Sequence, residues 1–156
     1  MTASAQILRN LRGAWILHRD IQPDGARLFG EAVFTPVGED ALAYRETGVL
    51  TLADGQEFSA YRQYRYCLRE GSVIVDFADG PEVGKQFLSL RFFQPDSWFE
   101  ASDVHACGND SYHATYKIFD AGAFETVITV RGPAKAYQLV SRYSRSLLVR
   151  RENHNE

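Results

Sequence analysis

From Pro23 onward a turn signal interrupts the chain roughly every ten residues, and no other feature restricts the possible folds so sharply. The signals are Pro23-Asp24-Gly25, Gly38, Asp54-Gly55, Gly71, Asp79-Gly80-Pro81, Pro95-Asp96, Gly108-Asn109, Asp120-Ala121-Gly122 and Gly132-Pro133. Gly reaches positive φ without steric cost, and Pro and Asp favour turn positions, so each cluster ends an extended segment. The segments between them are expected to be strands: Ala14–Ile21, Arg27–Pro36, Leu42–Leu52, Glu57–Arg69, Ser72–Ala78, Gln86–Gln94, Trp98–Cys107, Tyr112–Phe119, Phe124–Arg131 and Ala136–Arg150. Helical periodicity is confined to the start, where Ile7, Leu8 and Leu11 would share one side of a short helix between Ser4 and Leu11. About ten strands joined by short turns imply an all-β, antiparallel up-and-down meander, and a meander this long closes into a barrel because closure removes exposed edges. The expected layout is one β-barrel domain over residues 1–150 with a short N-terminal helix, then a disordered C-terminal tail over 151–156.

A chain of 156 residues is long enough to bury a core without disulfides or a metal. Its net charge of -3 gives no general attraction to nucleic acid or anionic lipid, and it has neither a spaced aromatic stacking platform nor a Gly-rich phosphate loop. The first ten residues lack an apolar signal region, and no stretch approaches the roughly 18 to 20 apolar residues that span a bilayer. A cytoplasmic location is expected, with no membrane and no nucleic-acid partner. In that compartment Cys67 and Cys107 are read as reduced, partly buried thiols.

Strand alternation predicts what lines the interior. One face of the third strand carries Leu42, Tyr44, Glu46 and Leu50; one face of the fourth carries Phe58, Arg62, Tyr64 and Tyr66. Glu46 and Arg62 thus fall among aromatics on the inward side. Buried charges are paired or used, so they read either as a structural ion pair or as polar anchors in an aromatic cavity.

The densest chemistry lies in His105-Ala106-Cys107-Gly108-Asn109-Asp110-Ser111-Tyr112-His113. Across a hairpin, His105 and Cys107 share one face of their strand, while Tyr112, Ala114 and Tyr116 share one face of the next. His113 then points away, which counts against a zinc site made with His105, Cys107 and Asp110. Cys107 beside His105 has the types of a nucleophile and base, but their Cβ atoms would be roughly 7 Å apart along the strand. His105 as general acid or base, with Tyr112 or Tyr116 donating to a developing oxyanion, fits the residue types better. The plain alternative is a turn network in which Asp110 accepts backbone N–H bonds and His105 bonds a tyrosine. Haem held by His105 is a further option, but no cofactor is required by the pattern. Lys135, in the turn after Gly132-Pro133, is either solvated or reaches over the barrel mouth toward an anionic ligand. The basic run Arg142, Arg145, Arg150 and Arg151 reads as a strand leading into the tail.

Gly13-Ala14-Trp15, with Arg142 and Arg145 late in the chain, resembles the calycin superfamily of lipocalin-like barrels, in which a Gly-x-Trp opens the barrel and a late Arg packs across the indole. A closer resemblance, over nearly the whole chain, is to a calycin-like family of unknown function, family 6314 among such domains. It rests on Gly13-x-Trp15, Gly30-x-Ala32-x-Phe34, Tyr44-x-Glu46-x-Gly48, Tyr64-x-Tyr66, Phe77-x-Asp79-Gly80, His105-x-Cys107-x-x-Asp110-x-Tyr112, Gly132-Pro133-x-Lys135-x-Tyr137 and Tyr143-x-Arg145. The chain departs from that pattern at Leu88, where the family has a histidine, and by the insertion of Pro81 to Lys85. The resemblance implies the barrel fold and a site, and no substrate.

The functional expectation is a barrel binding a small, largely apolar ligand with a polar or anionic head. The candidate contacts are Tyr44, Glu46, Arg62, Tyr64, Tyr66, Tyr116, Lys135 and Arg145. The alternative is a small-molecule isomerase, cyclase or hydrolase using His105, Tyr112 and Cys107. The apolar pair Phe92-Phe93 offers an edge for a homodimer.

Overall fold

The computed structural model describes residues 2–145, so the expected end of the last strand and the expected tail, with Arg150 and Arg151, lie outside the described residues. Helix α1 (Ala3–Asn10) is started by Thr2, whose side-chain oxygen accepts from the Ala5 N–H at 3.1 Å, the usual way an orphaned first-turn donor is satisfied. Ten strands follow: β1 (Gly13–Gln22), β2 (Ala26–Pro36), β3 (Ala41–Thr51), β4 (Glu57–Arg69), β5 (Ser72–Phe77), β6 (Gln86–Leu90), β7 (Phe99–Cys107), β8 (Asp110–Asp120), β9 (Ala123–Arg131) and β10 (Ala136–Ser144).

They form one antiparallel sheet in the order β6-β5-β4-β3-β2-β1-β10-β9-β8-β7, in which β1 pairs with β10 and curls the meander round. The remaining join, between β6 and β7, is a seam. There the Phe93–Glu100 bridge and the Ser89 N–H donating to Asp103 Oδ2 at 2.7 Å take the place of a ladder. The barrel is therefore nearly closed.

In a meander successive turns alternate between the two ends. The turns after β2, β4, β6 and β8 lie at the end entered from α1, and those after β1, β3, β5, β7 and β9 lie at the other. Helix α1 plugs the first end: Ile7, Leu8 and Leu11 join the core, and the Ser4 Oγ accepts from the Phe92 N–H at 3.3 Å. Trp15 closes the same end. Its Nε1–H donates to the Leu11 carbonyl at 2.8 Å, and the Arg145 guanidinium sits 3.6 Å from the ring centroid. A cation at that position contributes about 0.5 to 2 kcal/mol. Arg142, the other late arginine, instead pairs with Asp20 on the outer surface at 3.2 Å.

Three expectations change here. The sixth strand stops at Leu90, because Phe92 turns in beneath α1 and is buried, leaving only Phe93 exposed; the two rings do not form a shared dimer edge. Phe58 has the inward parity but is 50% exposed. On that face of β4, Phe58 and Arg62 are exposed, whereas Tyr66, nearest the plugged end, is buried. Cys67 is buried with Ala41 and Ile74 on the outer side of the wall, whereas Cys107 is exposed; both are free thiols. Among the described residues no helix is long and apolar enough to cross a membrane.

Candidate functional site

Inward side chains fill the plugged half of the barrel and leave a cavity of 430 Å³ in the other half. Its deep wall is phenolic. Tyr44 and Tyr66 extend from neighbouring strands and cluster with Phe34, whose ring meets both edge-on at 4.8 and 5.1 Å. Such edge contacts let the ring quadrupoles attract. The Tyr66 and Tyr116 hydroxyls lie 2.7 Å apart across the barrel.

Beside them sits a largely buried ion pair. Arg19 Nη1 and Nη2 donate to the two Glu46 oxygens at 2.7 and 3.0 Å, and Arg19 Nε donates to Ser141 Oγ at 2.7 Å. The Tyr44 hydroxyl donates to Glu46 Oε1 at 2.7 Å and lies 2.9 Å from the Tyr143 hydroxyl. Since the Tyr44 proton is committed to the carboxylate, Tyr143 is the donor in that second bond. Burial alone would raise the Glu46 pKa, but the bonds and charge of Arg19, with the Tyr44 hydroxyl, outweigh it and hold the carboxyl below its ordinary value. The expected Glu46–Arg62 pair is thus replaced. Arg62 lies opposite Glu46 in the β3–β4 register, but Arg19 approaches from β1 with both prongs of its guanidinium. Arg62 is left exposed toward the mouth, its Nη1 donating to the Tyr64 hydroxyl at 3.2 Å.

Toward the mouth the lining becomes aromatic and then charged. Tyr64 stacks on Phe87 with ring centroids 5.8 Å apart, and His105 packs edge-on against Phe87 and Phe77 at 5.4 and 5.8 Å. The register sets His105 opposite Tyr112 and Cys107 opposite Asp110, so all four have inward parity at the rim. His105 is half-buried, faces the cavity and makes no hydrogen bond to another described residue; its relation to Tyr112 is a tilted ring contact at 6.1 Å. Asp110 does not hold its own turn. Its Oδ2 accepts from Lys135 Nζ at 3.2 Å, and Lys135 lies 3.5 Å from the Tyr112 hydroxyl, so this exposed lysine is held at the mouth. Gly132 makes room for the arrangement, because a Cβ there would stand 1.9 Å from Asp110 Oδ1.

His113 is exposed on the opposite strand face, and no group of three His, Cys, Asp or Glu among the described residues is placed to hold a metal ion. Arg145 belongs to the plugged end, over Trp15, and takes no part in the cavity. A larger, shallower hollow of 1020 Å³ includes Arg145 together with His18, Phe29 and Arg142 on the outer side of β1, β2 and β10. Its lining holds one phenol, Tyr143, against seven in the cavity inside.

A family model described as a family of unknown function (DUF6314) matches residues 11–145. The chain belongs to this family. Among solved structures the DUF6314 chain is similar to the S-type phycobiliprotein lyase CPES from Guillardia theta, at 9% identity and a TM-score of 0.60 over 94% of this chain and 93% of that one. It is also similar to Rv2717c from M. tuberculosis, at 14% identity and a TM-score of 0.53 over 94% of this chain and 99% of that one. A de novo designed fluorescence-activating β-barrel matches at 13% identity and a TM-score of 0.50 over 94% and 100% of the two chains. At these identities the likeness is one of fold. No curated protein matches the chain.

Sequence reasoning missed several residues of the DUF6314 cavity: Arg19, Thr126, Tyr137 and Tyr143, with the apolar side chains of Phe77, Phe87, Ile128 and Leu139. A signal for Arg19 was available. Trp15, Leu17 and Arg19 share one parity of β1, so a charge on the buried face of the first strand requires a partner inside. Leu88, where the resemblance leads one to expect a histidine, is fully buried, while Pro81 and Glu82 line the rim of the cavity.

Proposed function

We propose that this protein is an intracellular barrel that binds a small, largely apolar ligand in its central cavity, with the ligand's polar or anionic head at the mouth. The observation that carries this reading is the graded lining. Neutral phenols and a self-satisfied Arg19–Glu46 pair lie deep, aromatic rings lie midway, and Arg62 and Lys135 stand at the rim. A predominantly apolar hollow with a few convergent polar groups is the usual make-up of a small-molecule site. Lys135 shares its charge with Asp110, so Arg62, whose hydrogen-bond partner is the neutral Tyr64 phenol, is the principal anion contact.

A matched pair of dyes tests the reading: anilinonaphthalene sulfonate, which is anionic, and N-phenylnaphthylamine, which has the same rings without the sulfonate. Both should fluoresce on binding. The change Arg62→Met should weaken the sulfonate at least about tenfold more than the amine, as expected for losing a charge-assisted contact. Equal losses would mean that Arg62 only supports the wall, and failure of both dyes to bind would remove the cavity reading.

A second reading, a hydrolase-type enzyme, is favoured by one observation: the His105 imidazole faces the cavity with no hydrogen-bond partner among the described residues. In that reading His105 serves as general base, with Tyr112 and Cys107 beside it. Hydrolysis of a nitrophenyl ester above the buffer rate, lost in His105→Asn, would support it. A wild-type rate equal to buffer would end it.

A further inference from the structure

The deep phenols permit a count of protons, and the count does not close. In one chain it does: Tyr143 donates to Tyr44, Tyr44 donates to Glu46, and the carboxylate ends the series as a pure acceptor. The other pair has no such terminus. Tyr66 and Tyr116 have two hydroxyl protons between them and share one bond of 2.7 Å. Whichever oxygen accepts, its own proton has no acceptor among the described residues. Both side chains are more than nine-tenths buried, at 4% and 5% exposed, and both line the cavity. Burial raises the pKa of each phenol, so neither proton is lost near neutrality. An unused buried donor costs about 1 to 3 kcal/mol until something accepts from it.

We propose that the inner end of the cavity is a binding subsite for a carbonyl-type hydrogen-bond acceptor, presented to the spare hydroxyl of the Tyr66–Tyr116 pair. This rests on the ligand-cavity reading above and narrows its ligand class. The ligand is two-headed, with an anionic group at Arg62, a flat apolar middle against Tyr64 and Phe87, and a carbonyl oxygen at the deep end. Thr126, buried and directly opposite Tyr116 in the β8–β9 register, brings a further hydroxyl to the same wall. The strands set the scale. Arg62 and Tyr66 are four residues apart on β4 and share its inward face, which at about 3.3 Å per residue sets their backbone positions roughly 13 Å apart along the barrel. A rod of two aromatic rings with a group at each end spans that distance.

The test uses 4′-acetylbiphenyl-4-carboxylate and 4′-ethylbiphenyl-4-carboxylate, which differ by a carbonyl oxygen in place of two hydrogens. Calorimetric titration of the whole protein should show the acetyl compound binding about tenfold more tightly, the worth of one buried donor gaining its acceptor. Tyr66→Phe and Tyr116→Phe should each keep that preference within about threefold, because one phenolic proton remains in either. The double variant Y66F/Y116F should lose it, the affinity ratio falling to about one, while the ethyl compound binds no worse than to wild type. Replacing both hydroxyls leaves no unpaired polar atom in either ring, so the double variant should fold, which its melting temperature verifies. Equal affinities in wild type would overturn the proposal while leaving the cavity reading intact, and would mean that the spare proton is met by water. A preference that survives in the double variant would also overturn it. If neither compound binds, the cavity reading itself falls.

Discussion

Glu46 holds a negative charge within a wall of phenols, and its stability there depends on Arg19 and Tyr44 together. Removing one partner of a buried pair leaves the other charge uncompensated, so Glu46→Gln should cost about 3 kcal/mol or more at neutral pH, measured by urea unfolding. The pH dependence has a defined sign. The folded Glu46 carboxyl lies below its ordinary value of 4.5, so its stabilisation is fully present above the unfolded value and is lost as pH falls through the folded one. Wild-type urea midpoints should therefore decline on the acid side more steeply than those of Glu46→Gln; parallel declines would show that Glu46 titrates alike in both states. The inward parity of Glu46 was legible from its place between Tyr44 and Leu50. Its partner was not, because Arg19 and Arg62 both have inward parity, and only the curl of the sheet decides which guanidinium reaches the carboxylate.

Strand boundaries followed the turn chemistry closely: β4 runs over the expected residues, and β5, β7 and β9 differ from expectation by a single residue at one end. The turns were readable because Gly and Asp leave a local signature. The contact between strands is less local. On β2 and β3, Gly30 faces Gly48, and a Cβ on Gly30 would stand 2.0 Å from the Thr47 carbonyl oxygen and 2.6 Å from Gly48 Cα. Both obstacles are backbone, which cannot swing aside, so Gly30→Ala should destabilise by about 2 kcal/mol. A urea midpoint unchanged by the substitution would show that the two strands can separate at little cost. Neither glycine has a positive φ, so their need for small size comes from strand pairing rather than from a turn. That need is invisible in either strand alone.

The whole barrel has one weak line. Between β6 and β7 the continuous ladder gives way to a single bridge and a side-chain bond from Asp103, so local opening there breaks the fewest hydrogen bonds. Hydrogen exchange should find the amides of β6 and the facing part of β7 exchanging at least about tenfold faster than those of β2 and β3. Uniform protection would mean that the seam is held as firmly as the ladders. The seam adjoins the cavity, since Phe87 lies on β6 and His105 on β7. Occupancy by either biphenyl probe should therefore slow exchange there in preference to the far side of the barrel.

The strand count, the short helix, the meander and the inward parity of Tyr44, Glu46, Tyr64 and Tyr66 are properties of the sequence by itself, because turn residues and period-two alternation act over a few residues. The Trp15–Arg145 closure was readable only through resemblance to a family. Tertiary structure alone decided that Arg19 neutralises Glu46, that Lys135 takes Asp110, that Arg145 stays at the plugged end, and that Tyr66 and Tyr116 meet with a proton to spare. Each of these is a meeting of strands far apart in the chain. The closing of the sheet fixes which side chains come within hydrogen-bond reach, and local sequence preferences contain no information about that.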